Sequence, residues 1–205
     1  MAQLVLVRHG VTTLNEQRRY IGSTDLELSE KGLAQAEAVS AGLRAEPLDM
    51  IFSSTAKRAL QTAQTICKPR DLEVHAVPGL NEVDFGEWEG LNFEEIEEAW
   101  PNFIHRWLAG EKGFPPGGEP IGSFRQRVNE TIESILTQTG ADNIAVVAHA
   151  GTIKLIICYF LDLDLSAIWK MRQDTAGISR IEFFEDGIST LNQLNDVCHL
   201  SKELR

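Results

Sequence analysis

The chain is poor in cysteine, has no long apolar run and carries no excess of positive charge, and each shortage closes off a class of function. Its 205 residues include three cysteines, Cys67, Cys158 and Cys198, far apart and odd in number. Such spacing makes neither a metal-ligand set nor a disulfide framework, so no metal is expected and a reducing, cytoplasmic setting fits. The longest apolar stretch, residues 155–161, falls well short of the ~20 residues that cross a bilayer, which predicts a buried helix and no membrane span. Met1-Ala2-Gln3 leads directly into a strand pattern, so no secretory leader is expected. Lys and Arg number 19 against 30 Asp and Glu, a formal charge of −11. A nucleic-acid partner is disfavoured, because phosphate backbones need a basic face.

What is present is an alternation of strand and helix signals. Residues 3–8 form a short apolar run of buried-strand type, and Ser29 precedes a helix with Leu33, Ala36, Val39 and Leu43 at three- and four-residue steps. Strands are predicted at 50–52, 73–77 and 143–148, with a closing pair at 177–184 and 189–193 around Glu185-Asp186-Gly187. Thr55 is expected to open a helix carrying Ala59, Ala63 and Ile66, stopped by Pro69. Ser123 and Gln126 have the spacing of a capping box ahead of Phe124, Val128, Ile132 and Ile135, and a further helix is expected over 152–161. Residues 78–120 break the rhythm with short helical pieces and the turn-rich run Phe114-Pro115-Pro116-Gly117-Gly118. The pattern predicts one domain over residues 1–205, a three-layer α/β/α sandwich with a mostly parallel central sheet and a lid-like insertion at about 78–120.

In such sheets ligands bind beyond the carboxyl ends of the strands. Arg8-His9-Gly10 and His149-Ala150-Gly151 each follow a predicted strand, and Arg58 lies in the first turn after another. An imidazole can attack phosphorus, a guanidinium can hold phosphate oxygens by paired hydrogen bonds, and glycine lets the backbone come close. Arg58 also sits where a helix N-terminus already favours an anion. Each residue alone has a plainer explanation: a surface arginine, a buried histidine bonded to backbone. Glu82 opens a stretch to Glu98 with eight carboxylates and no Lys or Arg, which reads mostly as a solvated helical face.

In order along the chain, Arg8-His9-Gly10 with Thr12 and Asn15, the Arg58 segment, Leu80-Asn81-Glu82 followed by Phe85-Gly86-Glu87-Trp88-Glu89-Gly90, and His149-Ala150-Gly151 resemble the histidine phosphatase superfamily, and more narrowly its phosphoglycerate-mutase-like branch. The likeness runs from residue 3 to about 183. It implies a cofactor-free phosphomonoesterase in which His9 becomes phosphorylated, Arg8, Arg58 and a protonated His149 grip the phosphoryl oxygens, and Glu82 is the proton donor. It further implies that Asn15, Thr12, Gly151 and the backbone amide of Ala150 contact the substrate. Val11 stands where the family usually has Glu or Gln, and Asp174 where Asn is common; the first is expected to alter the pocket rim.

The partner implied is a small phosphorylated metabolite, and a homodimer is left open. No Pro-rich insert follows the glutamate motif, as it does in the longer mutases of the branch, so net hydrolysis is expected, with a phosphoglycerate-type mutase as the alternative. Pro116-Gly117-Gly118-Glu119 resembles a loop of ribazole-phosphate phosphatases, with Pro120 where many of those have Ser. α-Ribazole 5′-phosphate and phosphoserine are therefore the candidate substrates, and an acidic lid is expected to repel a second phosphate. A protein phosphatase for phosphohistidine and a pseudophosphatase that only binds phosphorylated ligands are the alternatives. Phe85, Trp88, Phe93, Trp100, Phe103 and Trp107 are expected to form a small core, with stacking on a substrate ring as the other reading. His75, His105 and His199 are expected at the surface.

Overall fold

The computed structural model describes residues 2–185 and 187–205. Strand β1 spans Ala2–Arg8; it is followed by a one-turn helix α1 (Thr13–Glu16), helix α2 (Glu30–Gly42), β2 (Met50–Ser53), α3 (Lys57–Cys67) and β3 (Val74–Ala76). Short helices α4 (Phe93–Ala99) and α5 (Phe103–Leu108) lead to α6 (Ile121–Thr139), β4 (Asn143–Ala148), α7 (Ala150–Phe160), β5 (Ile178–Phe183) and β6 (Ser189–Asp196). The sheet order is β3-β2-β4-β1-β5-β6, parallel from β3 to β1, with β5 antiparallel to both neighbours. A mixed α/β architecture with a mostly parallel sheet is thus present.

Leu4-Val5-Leu6-Val7 is continuously apolar because β1 is covered on both faces. The side chains alternate between two cores. Leu4, Leu6, Ile144 and Val146 pack with Phe124, Val128 and Ile132 of α6 and Ile153 and Ile156 of α7. Val5, Val7, Ala145 and Val147 pack with Val39 of α2 and Ala59, Ala63 and Ile66 of α3. The chain leaving β1 therefore turns to one face, and the chain leaving β4 turns to the other. Because β1 and β4 are neighbours, a crevice opens between their carboxyl ends, the switch point where α/β sheets hold ligands.

Several boundaries differ from the sequence expectation. Leu33 is solvent-exposed, and Gly32, Gln35, Ala36 and Val39 face inward instead. A methyl group on Gly32 would come within 2.1 Å of the Val11 carbonyl, so α2 rests its backbone directly on the loop after β1. That contact, rather than leucine spacing, selects the buried face. Helix α6 starts two residues before Ser123, because Pro120, whose ring pre-sets φ, takes the cap position; Ser123 lies exposed and caps nothing. Thr55 precedes α3 rather than opening it, since its N–H and hydroxyl both bond Asn81, and Asp25 caps Lys57 from a distant loop. His199 is half-buried rather than fully exposed: both ring nitrogens are covered, and the ring packs against Gly42. Asp186 of the expected hairpin turn lies outside the described residues; Phe184 and Ile188 are hydrogen-bonded across it. No helix among the described residues is long and apolar enough to cross a membrane.

Candidate active site

Register places the two histidines together. Arg8 is paired with Ala148 across β1 and β4, so His9 and His149 leave adjacent strands at the same level. Their ring centroids are 5.0 Å apart and nearly edge-to-face. His9 Nδ1 is 2.7 Å from the Gly10 carbonyl. A carbonyl only accepts, so the proton of the neutral ring is on Nδ1 and the lone pair on Nε2.

Two guanidiniums are built in around this ring. Arg58, in the first turn of α3, is 1 % exposed and donates to the Gly22 and Thr24 carbonyls at 2.8 Å each. Thr62, one turn on, accepts from the Gly10 N–H, tying α3 to the loop after β1. Arg8 donates to the Gln173 carbonyl at 2.6 Å. Arg8 Nε, Arg58 Nε and His149 Nδ1 are all buried with no hydrogen-bond partner in the protein. Two buried guanidinium N–H donors without an acceptor, beside one imidazole, are costly unless an anion meets them.

The charges press on the histidines. Burial, then Arg58 and Arg8, push the His9 pKa well below an ordinary histidine, partly offset by the Gly10 hydrogen bond. His149 is pushed down likewise, by burial first and then by Arg58, His9, Arg8 and Arg127. Burial and these neighbours thus favour the neutral His149 ring where no anion offsets them.

Glu82 reaches the same pocket from the chain after β3. Its Oε2 accepts from the Gly151 N–H at 2.8 Å, and its Oε1 from the Val83 N–H at 3.1 Å. A Cβ at Gly151 would lie 2.5 Å from Glu82 Oε1, so a larger residue there would displace the carboxylate from this position. Arg127 of α6 clamps the Glu82 loop by donating to the Gly79 and Asn81 carbonyls at 2.9 Å each while paired with Glu119.

A cavity of about 440 Å³ opens here, and Arg8, His9, Asn15, Glu82, Ala150 and Gly151 are among its walls. Arg58 and His149 are buried behind that wall. Thr12 does not reach the cavity: it is fully buried and caps α1, and its hydroxyl is bonded to Asn15 Oδ1. It fixes Asn15, which does line the space.

Of the eight carboxylates from Glu82 to Glu98, only Glu82 faces the cavity. Glu89 turns inward to accept from the Gly22 and Ser23 N–H groups, and Glu95 accepts from the Asn92 N–H in the capping box of α4 and pairs with Arg19. The expected acidic lid is thus not the lining of the pocket. Arg18, Arg19 and Lys154 line it together with Asp174, which is held by Arg172 and Asn195. Trp88, Phe103 and Phe114 form the small aromatic core, while Tyr20, Phe85 and Trp107 extend it to the cavity wall. Val11 is also in the wall.

Sequence reading missed Ser54, Asn81, Arg127 and Lys154. Lys154 had a signal, as the lone charge in the apolar run from Ile153 to Ile157. Among the described residues, no group of three or more His, Cys, Asp or Glu is arranged to hold a metal ion.

Comparison with known proteins agrees with this geometry. The profile of the histidine phosphatase superfamily (branch 1) matches residues 4–197. Phosphoserine phosphatase 1 of Hydrogenobacter thermophilus is 34% identical over 203 residues, spanning 98% of this chain and 96% of that protein. The adenosylcobalamin/alpha-ribazole phosphatase of Salmonella typhimurium is 31% identical over 194 residues, 94% of this chain and 96% of that one. The crystal structure of phosphoserine phosphatase from Entamoeba histolytica in complex with 3-phosphoglyceric acid aligns with a TM-score of 0.86 at 33% identity, covering 98% of this chain and 100% of that chain. The ordered motifs, the cationic pocket between β1 and β4 and these likenesses converge: the chain belongs to the histidine phosphatase superfamily, branch 1, and hydrolyses phosphoric monoesters.

Proposed function

We propose that the protein is a metal-independent phosphatase of small organic phosphates that works through a phosphohistidine on His9. The observation that carries this reading is the free Nε2 lone pair of His9 beside two buried guanidiniums with unmet N–H groups. In the first step Nε2 forms a bond to phosphorus as the ester P–O bond breaks, and the departing alkoxide takes a proton from Glu82. In the second, water attacks phosphorus, gives its proton to the Glu82 carboxylate, and the P–N bond breaks to release phosphate and neutral His9. Arg8, Arg58, Asn15 and the Ala150 amide hold the equatorial oxygens, whose charge is what phosphoryl transfer mainly needs neutralised.

Glu82→Gln separates the two half-reactions. Alkyl esters are expected to lose on the order of 10²–10⁴ in kcat. p-Nitrophenyl phosphate, whose leaving group departs without a proton, is expected to give a burst of one equivalent of nitrophenol followed by slow turnover. A steady rate without a burst removes Glu82 from the acid–base role.

The cavity favours a monoester that carries a second, carboxylate charge. Lys154 lines it one helical turn from Gly151 and makes no hydrogen bond or ion pair within the described residues; burial lowers its pKa, and the charge of Glu82 works against that shift. A substrate carboxylate would meet this ammonium, as in phosphoserine or phosphoglycerate. The aromatic stretch of wall from Tyr20, Phe85, Trp107 and Trp169 favours a second reading, α-ribazole 5′-phosphate. A panel of O-phosphoserine, 3-phosphoglycerate, α-ribazole 5′-phosphate and p-nitrophenyl phosphate, with and without EDTA, decides between them. Lys154→Met is expected to raise KM for the two carboxylate esters about tenfold, the loss of about 1.4 kcal/mol of charged hydrogen bonding, and to leave p-nitrophenyl phosphate unchanged. Ribazole phosphate in first place with a uniform Lys154→Met effect would establish the aromatic reading instead.

A further inference from the structure

We infer that Ser54 and Asn81 set the tautomer of His149, so that binding a phosphate dianion draws one proton into the site. The coupling to phosphate rests on the function proposed above; the tautomer concerns the empty protein and is tested without it.

Asn81 Oδ1 accepts from the Thr55 backbone N–H at 2.9 Å, which settles which end of that amide faces the turn. Ser54 Oγ lies 2.7 Å from the same oxygen, and His149 Nε2 lies 2.7 Å from Ser54 Oγ. An amide oxygen only accepts, so the single hydroxyl proton of Ser54 goes to Asn81. His149 Nε2 must then be the donor toward Ser54 Oγ, which also accepts from the Ala56 N–H at 3.2 Å. In a neutral ring this leaves Nδ1 bare, and Nδ1 is the nitrogen buried without a partner. The two imidazoles are thus held in opposite senses: Gly10 keeps the proton of His9 on Nδ1, and Ser54 keeps that of His149 on Nε2.

The consequence is chemical. A bare Nδ1 repels a phosphoryl oxygen, and with Nε2 committed to Ser54 it can donate only if the ring becomes imidazolium. The cationic and titratable groups facing it are Arg58 on α3, Arg8 and His9 at the end of β1, and Arg127 on α6, with the Glu82 carboxylate across the site at Gly151. The cations and burial keep the ring neutral in the empty site. A dianion reverses that balance, so protonation follows binding. One proton taken up per dianion makes affinity fall by up to about tenfold per pH unit between the free and bound pKa values. Ser54 and Asn81 act through His149 and are positioning residues.

The test uses protein labelled with ¹⁵N-histidine and tungstate, a dianion throughout the neutral range. Long-range proton–nitrogen correlation at neutral pH is expected to show His149 protonated on Nε2 alone when free, and on both nitrogens with tungstate. Calorimetry in buffers of different ionisation enthalpy is expected to count about one proton taken up per tungstate. In Ser54→Ala the ring is released to place its proton on Nδ1, and uptake falls below about half a proton; a serine that merely fills space would leave both readings unchanged. Should that variant not fold, Asn81→Asp keeps the acceptor and adds charge, and the ring should be charged before tungstate arrives, again with reduced uptake. A free ring protonated on Nδ1, or a ring still neutral under bound tungstate, overturns the inference. Failure of tungstate to bind at all would count against the phosphate-site reading and leave the tautomer result standing.

Discussion

His9→Ala is expected to lower kcat on the order of 10⁶ and to abolish trapping of phosphate on the protein. The size of the loss follows from the geometry around the ring. Among the described residues, no other side chain in the pocket offers an unprotonated nitrogen already fixed by a backbone carbonyl, as Gly10 fixes His9. What remains in the variant is positioning by Arg8, Arg58 and Asn15, which supports slow direct attack by water, a residual acceleration of roughly 10³–10⁴ over solution. Quenching wild-type enzyme in acid and in alkali after brief exposure to ³²P-labelled substrate should reveal an acid-labile, alkali-stable phosphate, and His9→Ala should show none. Persistence of that label in the variant would move the nucleophile elsewhere. The wild-type pH profile carries the same information. Burial and the two arginines hold the His9 pKa well below 6.5, so the ring stays deprotonated, and nucleophilic, at neutral pH. The acid limb of kcat/KM belonging to His9 therefore lies well below pH 6.5, rather than at the pH of a solvated imidazole.

The parts of this site that could be read from sequence are those with a local signature. β1 and β4 are continuous apolar runs because both of their faces are covered, and a histidine followed within two residues by glycine at the end of each is visible without any structure. Arg58 was legible by its place after β2 and inside the first turn of α3. Ser54 and Asn81 were not, although Asn81 lies inside Leu80-Asn81-Glu82, because their contact joins residues 27 apart with no periodic pattern to announce it. The acidic stretch is mostly solvated as its pattern implies, and only its expected effect on the pocket was misjudged, for a different reason. Counting charges sums them without direction, and Glu89 spends its carboxylate on the amides of Gly22 and Ser23 rather than on the pocket. Leu33 was assigned inward by spacing alone, whereas the inward face of α2 is chosen by a backbone contact at Gly32 that no hydropathy pattern encodes.

Arg58→Ala is the second large effect, expected at 10³–10⁵ in kcat/KM by analogy with arginine fingers. Its guanidinium is held by two main-chain carbonyls, Gly22 and Thr24, and has Nε to spare. It is thus oriented before substrate arrives, and the cost of ordering it is already met in folding. Lysine cannot reproduce two directed N–H bonds plus a third donor, so Arg58→Lys should recover little. The variant makes a further, independent prediction. Arg58 is the largest charge acting on both His9 and His149, and it lowers the pKa of each. Its removal favours the protonated imidazoles, so both pKa values rise toward the ordinary range and the acid limb of the residual activity moves to higher pH. A merely structural arginine would cost rate without that shift. Stability should change far less than rate. Truncation strands the two carbonyls, at roughly 1–3 kcal/mol, while relief of repulsion with Arg8 acts in the opposite direction. Urea unfolding alongside the pH–rate profile separates these effects: an intact fold with a large rate loss and a raised acid limb is expected. A rate within tenfold of wild type, or an unmoved limb, would place Arg58 outside the phosphate cup.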